Sequence, residues 1–309
     1  MGAWDDWIGR SEVRSDILTP SLVERFRATI DSDVPDDPAP QGIHWLTCIP
    51  DAPTAELGED GHPLRSDDSF FPPIPLPRRM WASSKVEFVA PIEAGASILR
   101  RSTIASVAEK TGSTGSLAFV DVAHETSANG TLAIRETQTL VYREAATPDR
   151  SSRAQSRDES ARQGVSTSAN GPKFIQSAAA GGGEGLDTNG VDLDEWPIHR
   201  SLVPSEALLF RFSALTFNTH RIHYDMPYAR DVEAYRGLVV HGPLMASLLL
   251  DLIARELGPN RLRRFAFRAQ SPAFAGEPLH LVARQDGEAL TLATLGADGR
   301  TCVSAEASL

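Results

Sequence analysis

The stretch from Asn218 to Asp225 holds the residues best suited to chemistry, because two histidines lie in it three positions apart, beside an asparagine and an aspartate. Sixteen residues after Asp225, a His–Gly pair ending at Gly242 opens the longest apolar helical pattern of the chain. An imidazole changes charge near neutral pH, and the free amides at a helix start attract negative charge. This arrangement predicts proton transfer by His220 or His223 beside an anion held at the helix start.

The bulk composition is that of a globular protein. The chain has 309 residues, 41% hydrophobic and 23% charged, with a net charge of −11. That length allows about two domains. An acidic chain without a basic stripe is unsuited to general nucleic-acid binding. The two cysteines, Cys48 and Cys302, are too far apart in sequence to suggest a disulfide scaffold or a zinc cluster, so we expect no metal.

The chain shows no membrane or export signal. Its N-terminus lacks a basic segment followed by an apolar run, and no apolar run reaches the length of a membrane span. We therefore expect a cytoplasmic protein with no membrane partner.

The first part of the chain predicts a helix and then a long loop. Residues 11–32 are interpreted as a helical opening, with Thr19 as the cap and Pro20 at the first helical position. Residues 33–79 are rich in proline, aspartate and glycine and lack periodicity, although Ile43–Ile49 is compatible with a short strand or turn. A loop of this length inside a domain is often functional.

Alternation of apolar and polar residues then predicts an antiparallel meander of long strands. These strands are Lys85–Val89, Ala96–Val107, Ser116–Thr126 and Thr131–Tyr142.

The segment 148–195 has a different composition, dominated by Ser, Gly, Ala, Arg, Asn and Asp. We interpret it as a flexible linker or a disordered insertion between two domains, 1–147 and 196–309. The alternative is a lid over a functional site.

The second part predicts helices inside a further set of strands. Pro204–Leu215 is interpreted as helical, and Gly242–Leu257 is apolar around most of its girth, which indicates a buried helix that stops at Gly258. The predicted strands are His199–Val203, Leu262–Ala269, Leu279–Arg284, Ala289–Thr294 and Cys302–Ala307.

A Pro-x-x-x-Gly joint occurs once in each part, at Pro91/Gly95 and at Pro272/Gly276, between a first strand and a following meander. Two copies of one fold explain this repetition. In the first copy, the proline-rich loop replaces the buried helix of the second copy. A large ligand could lie across the joint between them.

These residues carry a family resemblance. The run Phe212–Asp225, followed by Val240–Gly242, resembles the motif of the hydratase-2 (MaoC-like) branch of the hotdog fold. Residues 1–147 resemble the degenerate N-terminal hotdog of two-domain members, of the FAS1-like dehydratase type, most clearly at Arg78–Trp81 and at the first Pro/Gly joint. The resemblance implies an α+β double hotdog with two antiparallel sheets, the C-terminal one wrapped around a long central helix.

The chain departs from the family motif at four positions. The family's glycine is Phe217, its catalytic aspartate is Asn218, its asparagine is His220 and its proline is Arg221. This variant of the motif is similar to a subgroup that contains mesaconyl-C4-CoA hydratases, itaconyl-CoA hydratases and fungal 3-hydroxyacyl-thioester dehydratases. The missing aspartate therefore marks a subgroup and leaves the route of proton transfer open.

The resemblance implies syn addition of water across the α,β double bond of an acyl thioester. His223 matches the family's catalytic histidine and is assigned as the general base. Asn218 would orient the water, and His220 would be either a second titrating group or a hydrogen-bond partner of His223. The amide of Gly242 would stabilise the negative charge that develops on the thioester oxygen.

A further set of residues is predicted to contact the substrate. The set is Arg221, Asp225, His241, Arg263, Arg264 and Trp81. Arg221 is a candidate for binding the free carboxylate of a dicarboxylic acyl group, although for Asp225 a structural ion pair is favoured. The two arginines near position 263 are candidates for the phosphates of coenzyme A, and Trp81 for its pantetheine or adenine.

The sequence thus predicts an acyl-CoA hydratase that converts mesaconyl-C4-CoA, or itaconyl-CoA, to citramalyl-CoA. No cofactor is expected, since the coenzyme A thioester is itself the substrate. The first alternative is a dehydratase of 3-hydroxyacyl thioesters, bound to coenzyme A or a carrier protein, in fatty-acid metabolism. The second is a hotdog protein that binds acyl-CoA without turnover. A homodimer is possible because hotdog sheets expose edges.

Overall fold

The computed structural model describes residues 3–35, 38–112, 115–144 and 191–309. Most of the predicted linker, 148–195, lies outside the described residues, so the division into 1–147, 148–195 and 196–309 stays a prediction. Among the described helices, none has both the length and the apolar character that a membrane span requires.

Within the described residues, ten strands form one antiparallel sheet. The strands are β1 (Ser11–Ile17), β2 (Arg78–Phe88), β3 (Ser97–Gly112), β4 (Gly115–Ala128), β5 (Thr131–Arg143), β6 (Ile198–Leu202), β7 (Arg264–Ala269), β8 (Leu279–Asp286), β9 (Ala289–Gly296) and β10 (Thr301–Ser308). Their order is β1-β3-β4-β5-β2-β7-β10-β9-β8-β6. The two predicted sheets are therefore continuous, because β2 of the first half pairs with β7 of the second.

The strand order is symmetric about the β2–β7 pair, which confirms the repeat predicted from the two Pro/Gly joints. Gly95 donates its N–H to the carbonyl of Leu18, just after β1, and Gly276 donates to the carbonyl of Pro204, just after β6. Both glycines have positive φ angles, 90° and 82°, a backbone conformation that side chains disfavour. Each joint thus ties the meander of one half to the end of that half's first strand.

In the part of the chain that the structure describes, three α-helices accompany the sheet: α1 (Pro20–Thr29), α2 (Glu206–Thr216) and α3 (Gly242–Leu257). The predicted bounds of α3 are confirmed, and its residues from Leu244 to Ile253 are all buried. The cap of α1 is also as predicted, since Thr19 accepts a hydrogen bond from the amide of Leu22. Helix α2 has an equivalent cap at Ser205, whose hydroxyl accepts from Leu208.

The prediction of a helix throughout 11–32 is wrong for its first part. Residues Ser11–Ile17 form the edge strand β1, which pairs with β3 along its whole length. The burial of this segment alternates from residue to residue, as in a strand with one face against the protein. Backbone pairing to β3 decides the structure here, and the helical periodicity begins only at Pro20.

The segment between α1 and β2 has no α-helix in its described part. Ile43–Leu46 forms a 3-10 turn, which resolves the open prediction of a strand or turn at Ile43–Ile49. Ile43 and Leu46 belong to the same buried cluster as the α3 residues Leu249 and Leu250. This loop of the first half therefore packs towards the central helix of the second half.

A part of the same loop, residues 58–62, docks on the segment between α2 and α3. The carbonyl of Asp60 accepts from the amide of Arg221 at 3.0 Å, and the carbonyl of Gly61 accepts from the hydroxyl of Thr219. Gly61 has φ +88°, and a Cβ placed on it would lie 1.9 Å from the carbonyl oxygen of Thr219. Only glycine therefore allows this approach of the two backbones.

We expect Gly61→Ala to destabilise the protein more than Gly95→Ala. Both replacements place a side chain at positive φ, which costs on the order of 1 kcal/mol, but nothing lies within 4 Å of a Cβ at position 95. Overpacking at position 61 should add roughly 1–3 kcal/mol. Urea unfolding of both variants measures the difference in free energy of unfolding. Equal losses would show that the loop does not dock as described.

Candidate active site

His223 lies in a 3-10 turn, Arg221–His223, between α2 and α3, and is only 7% exposed. Its Nδ1 lies 2.7 Å from the carbonyl oxygen of Val239, so Nδ1 carries the hydrogen and Nε2 is the free, basic nitrogen. Burial lowers the pKa of His223 to about 4. The imidazole is therefore neutral near pH 7 and able to accept a proton.

Four imidazoles form a continuous row, which we call the imidazole row: His62, His220, His223 and His241. The ring centroids are 4.3 Å apart for the first pair, 5.5 Å for the second and 3.6 Å for the stacked pair of His223 and His241. Burial, followed by the neighbouring His62 and His223, lowers the pKa of His220 to about 2. The row is thus held neutral.

His241 lies at the inner end of this row. It is 1% exposed, its Nε2 is 2.8 Å from the hydroxyl of Ser213, and its ring faces Phe212 as well as His223. Burial lowers the pKa of His241 well below its usual value. Its observed contacts support His223 from behind, and the predicted contact of His241 with substrate stays a prediction.

The outer end of the row is an aspartate–histidine pair that the first half contributes. The Oδ2 of Asp60 is 2.9 Å from Nδ1 of His62, and Oδ1 accepts from the backbone amide of His62. Burial alone would raise the pKa of Asp60, but the hydrogen bonds from His62 bring it down to about 2. Burial also lowers the pKa of His62, against the effect of Asp60. Asp60 is therefore an ionised carboxylate beside neutral imidazoles.

Sequence reasoning missed Asp60 and His62, because they lie about 160 positions before the motif. The one signal was the length of the loop at 33–79. Ligand atoms of Asp60, His62 and His220 lie within 4.8 Å of one another, which is a spacing that could hold a metal ion. The carboxylate and His62 are bonded to each other, so we identify them as a hydrogen-bonded pair. The expected absence of a metal stays a prediction.

Asn218 shapes the turn that presents the row. Its side-chain Oδ1 accepts from the backbone amide of His220 at 3.0 Å. Its backbone amide donates to the carbonyl of Ser213. The preceding Phe217 ends α2 in the left-handed region, with φ 50°. The family's glycine at this position suits that conformation. The turn is thus built without the glycine, and the predicted contact of Asn218 with water stays a prediction.

Arg221 and Asp225 form an ion pair. The Nη2 and Nε of Arg221 lie 2.7 and 3.0 Å from Oδ2 of Asp225, whose Oδ1 accepts from the amide of Tyr228. The third nitrogen, Nη1, donates to the carbonyl of Glu59. This is the structural bond that the sequence analysis favoured for Asp225. The guanidinium is turned towards these partners, and its predicted contact with a substrate carboxylate stays untested.

Gly242 is the first residue of α3, so its amide has no partner inside the helix. A Cβ placed on Gly242 would have Ala269 and the carbonyl oxygen of Trp81 as its nearest neighbours, both at 4.0 Å. The space on the Cβ side of Gly242 is therefore open, and β2 of the first half lies at its edge.

The backbone of Trp81 lies next to Gly242, while its side chain is directed into the core. The indole nitrogen donates to the hydroxyl of Ser84 at 3.0 Å, and the ring contacts Trp45 and Phe267. A contact of Trp81 with pantetheine or adenine stays a prediction.

Arg263 and Arg264 lie elsewhere. Both are exposed and line a cavity of about 780 Å³ between residues 38–44 and the start of β7. The lining of this cavity includes no member of the imidazole row. The structure therefore does not bring these arginines together with the catalytic candidates, and their predicted contact with coenzyme A phosphates stays untested.

The chain is similar to known proteins over most of its length. The family model of hydroxyacyl-thioester dehydratase type 2 matches residues 42–171 and 185–275. A mesaconyl-C(4)-CoA hydratase of Chloroflexus aurantiacus is 38% identical over 314 residues, which cover 99% of this chain and 98% of that protein.

Two solved structures show the fold. A MaoC-like dehydratase superposes with a TM-score of 0.66 at 14% identity, covering 99% of each chain. A Mycobacterium tuberculosis protein described as a double hotdog superposes with a TM-score of 0.55 at 12% identity, covering 97% of this chain and 95% of that one. The chain therefore has the double hotdog fold predicted for it, and it belongs to the hydroxyacyl-thioester dehydratase type 2 family of MaoC-like proteins.

Proposed function

We propose that this protein is an acyl-CoA hydratase that converts mesaconyl-C4-CoA to citramalyl-CoA, with itaconyl-CoA leading to the same product. The observation that carries this proposal is the full-length similarity to the Chloroflexus hydratase. The site supports it with a buried neutral imidazole, His223, stacked on His241, the residue that precedes the start of α3.

The proposed reaction moves one proton from water to the α-carbon. The water oxygen forms a bond to the β-carbon as one O–H bond breaks, and the proton goes to Nε2 of His223. The π electrons move towards the thioester oxygen, where the amide of Gly242 and the positive end of the α3 dipole stabilise the charge. His223 then returns the proton to the α-carbon on the same face, and the imidazole is neutral again.

The step with the highest electrostatic cost in this mechanism is the protonation of a buried imidazole. His62 disfavours a positive charge on His223, while the carboxylate of Asp60 acts to raise the pKa of His220, the next member of the row. Asp60 reaches the imidazole row through His62, its hydrogen-bond partner. We infer that the first half supplies the negative charge that the family motif places at position 218, where this chain has Asn218.

Two other functions use the same site. The reaction is reversible, so the groups that add water also remove it from a 3-hydroxyacyl thioester, which is the activity after which the family is named. A protein that binds acyl-CoA without turnover would keep the binding site but would not need a basic Nε2 on His223. We propose no metal or organic cofactor, a cytoplasmic location and, as a possibility for assembly, a homodimer.

We expect His223→Gln to lower kcat on mesaconyl-C4-CoA by about 10²–10⁴-fold, because the general base is removed. The matched control is His199→Gln, which removes a histidine on β6 whose Nδ1 lies 2.9 Å from the carbonyl oxygen of Trp196 and which is no member of the row. Loss of the enoyl thioester absorbance measures the rate. Thermal stabilisation of the wild-type protein by mesaconyl-C4-CoA and crotonyl-CoA without turnover would instead support the binding protein.

Gly242→Ala should fold normally, because a Cβ there meets nothing closer than 4.0 Å. We expect it to lower kcat/KM by about tenfold or more, since the methyl group occupies the space of the thioester and displaces it from the amide. Steady-state kinetics beside a thermal melt separates the two effects. Unchanged kinetics with an unchanged melting temperature would remove the amide from the mechanism.

The pH profile tests the neutral imidazole. The pKa of His223 is about 4 in the folded protein, below its ordinary value of 6.5, so kcat/KM should stay level from neutral pH to about 5 and fall as the pH passes through 4. The unfolded chain binds this proton more tightly, so stability also declines as the pH falls from 6.5. Rates are therefore measured only where circular dichroism shows the folded protein. An acid limb near 6.5 would contradict the assignment.

Asp60→Asn changes the same profile in a defined direction. Removing the carboxylate disfavours the charged imidazole, so kcat should fall by about tenfold with little change in KM, and the acid limb should move to lower pH. Asp60→Glu keeps the charge and should restore part of kcat. A limb that moves to higher pH, or an equal loss in both variants, would contradict the charge-compensating role.

A further inference from the structure

A cavity of about 410 Å³ lies directly beside His62, at the outer end of the imidazole row. Its walls come from residues 58–65, the approach to β2 and the π-helical turn Tyr228–Val232. Three guanidinium groups line it, those of Arg65, Arg78 and Arg79. No residue of this cavity apart from His62 and Asp60 has a role in the mechanism above.

Arg78 is buried with an unused donor. It is 7% exposed, its Nε lies 2.6 Å from a carboxylate oxygen of Glu233, and its Nη2 donates to the carbonyl of Val232. Its Nη1 is buried without a hydrogen-bond partner among the described residues. Because this nitrogen has almost no accessible surface, Arg78 supplies positive charge at the wall of the cavity, where its pair with Glu233 fixes it.

Arg65 and Arg79 add two more cationic groups. Arg65 donates to the carbonyl of Leu76 and packs over the ring of Tyr142, while its Nη1 is buried without a partner in the described part of the chain. Arg79 packs over the ring of Phe71. In the described structure, neither arginine is within ion-pair distance of a carboxylate.

The carboxylates that line the cavity are either bonded to other groups or exposed to solvent. Asp60 is bonded twice to His62, and Glu233 holds Arg78 and accepts from the hydroxyl of Tyr228. Glu59 lies at the exposed rim. The free donors of the arginines therefore need an acceptor from outside the described residues, and a carboxylate matches a guanidinium in charge and in geometry.

The position of Arg79 fits the proposed substrate. Its charge acts on both His62 and His220, lowering the pKa of each, so it lies close to the row. In mesaconyl-C4-CoA, the free carboxylate is attached to the same carbon that water attacks. The group that binds this carboxylate must therefore lie close to the row, and Arg79 shares a cavity with His62 of the row, whereas the exposed Arg263 and Arg264 line a different cavity.

We propose that Arg79, at the wall of the cavity beside His62, binds the free carboxylate of a dicarboxylic acyl group and thereby selects it over an uncharged acyl group. This inference rests on the proposed hydratase function and names the group that gives its specificity. It also replaces Arg221 as the candidate for this role, because the guanidinium of Arg221 is already bonded to Asp225 and Glu59.

The test compares kcat/KM for mesaconyl-C4-CoA and crotonyl-CoA, which lacks the carboxylate. For Arg79→Leu we expect a loss of about 100-fold on mesaconyl-C4-CoA and less than about threefold on crotonyl-CoA, since a charge-assisted pair is lost only with the first. Arg79→Lys keeps the charge without the fork and should fall between. Arg230→Leu is the matched control, because this exposed arginine on the Tyr228–Val232 turn does not line the cavity.

A second arm needs no turnover. Citramalyl-CoA and butyryl-CoA are titrated into each variant by calorimetry, and the preference for citramalyl-CoA should disappear in Arg79→Leu only. Equal losses on both thioesters, or an unchanged ratio, would overturn the assignment of Arg79 while leaving the hydratase intact. Absence of turnover of both thioesters by the wild-type protein would instead overturn the proposed function, and a lack of preference for citramalyl-CoA would then overturn this inference as well.

Discussion

The docking of residues 58–62 on the segment before α3 is the contact on which the candidate site depends. Hydrogen bonds from the hydroxyl of Thr219 and the backbone amide of Arg221 hold this loop of the first half, and Gly61 allows the two backbones to meet. The contact places Asp60 and His62 at the outer end of the imidazole row. The row of imidazoles is therefore complete only in the presence of the first half. In the proposed mechanism, the loop that replaces the central helix of the first half would also supply part of the chemistry.

A second constraint is electrostatic. Burial keeps the row neutral, so His223 has an unprotonated Nε2 over a wide pH range, but the same burial makes proton uptake costly. In the proposed mechanism, the ionised carboxylate of Asp60 at one end of the row would offset part of that cost without adding a second acid next to the water. The amide of Gly242 would act on the opposite charge, at the thioester oxygen. The two halves of the protein would thus stabilise the two charges of the proposed transition state.

The sequence predicted the parts that depend on local pattern. Apolar periodicity and the Gly258 stop gave the bounds of α3, and the repeated Pro/Gly joint indicated two copies of one fold. His223 and Gly242 were found through the motif. The strand β1 was missed because its pairing with β3 is a contact between distant residues. Asp60 and His62 were missed for the same reason, as no local pattern links a proline-rich loop to a motif so far along the chain. Arg221 was a candidate for binding a substrate carboxylate and an ion pair was favoured for Asp225, and the structure shows that these two residues pair with each other.

The most direct test of the hydratase assignment follows the oxygen atom. The wild-type protein is incubated with mesaconyl-C4-CoA in oxygen-labelled water, and the products are analysed by mass spectrometry. Hydration predicts citramalyl-CoA with the label in its new hydroxyl group, absent from a parallel reaction with His223→Gln. Recovery of unchanged mesaconyl-C4-CoA, bound or free, from the folded wild-type protein would contradict the assignment.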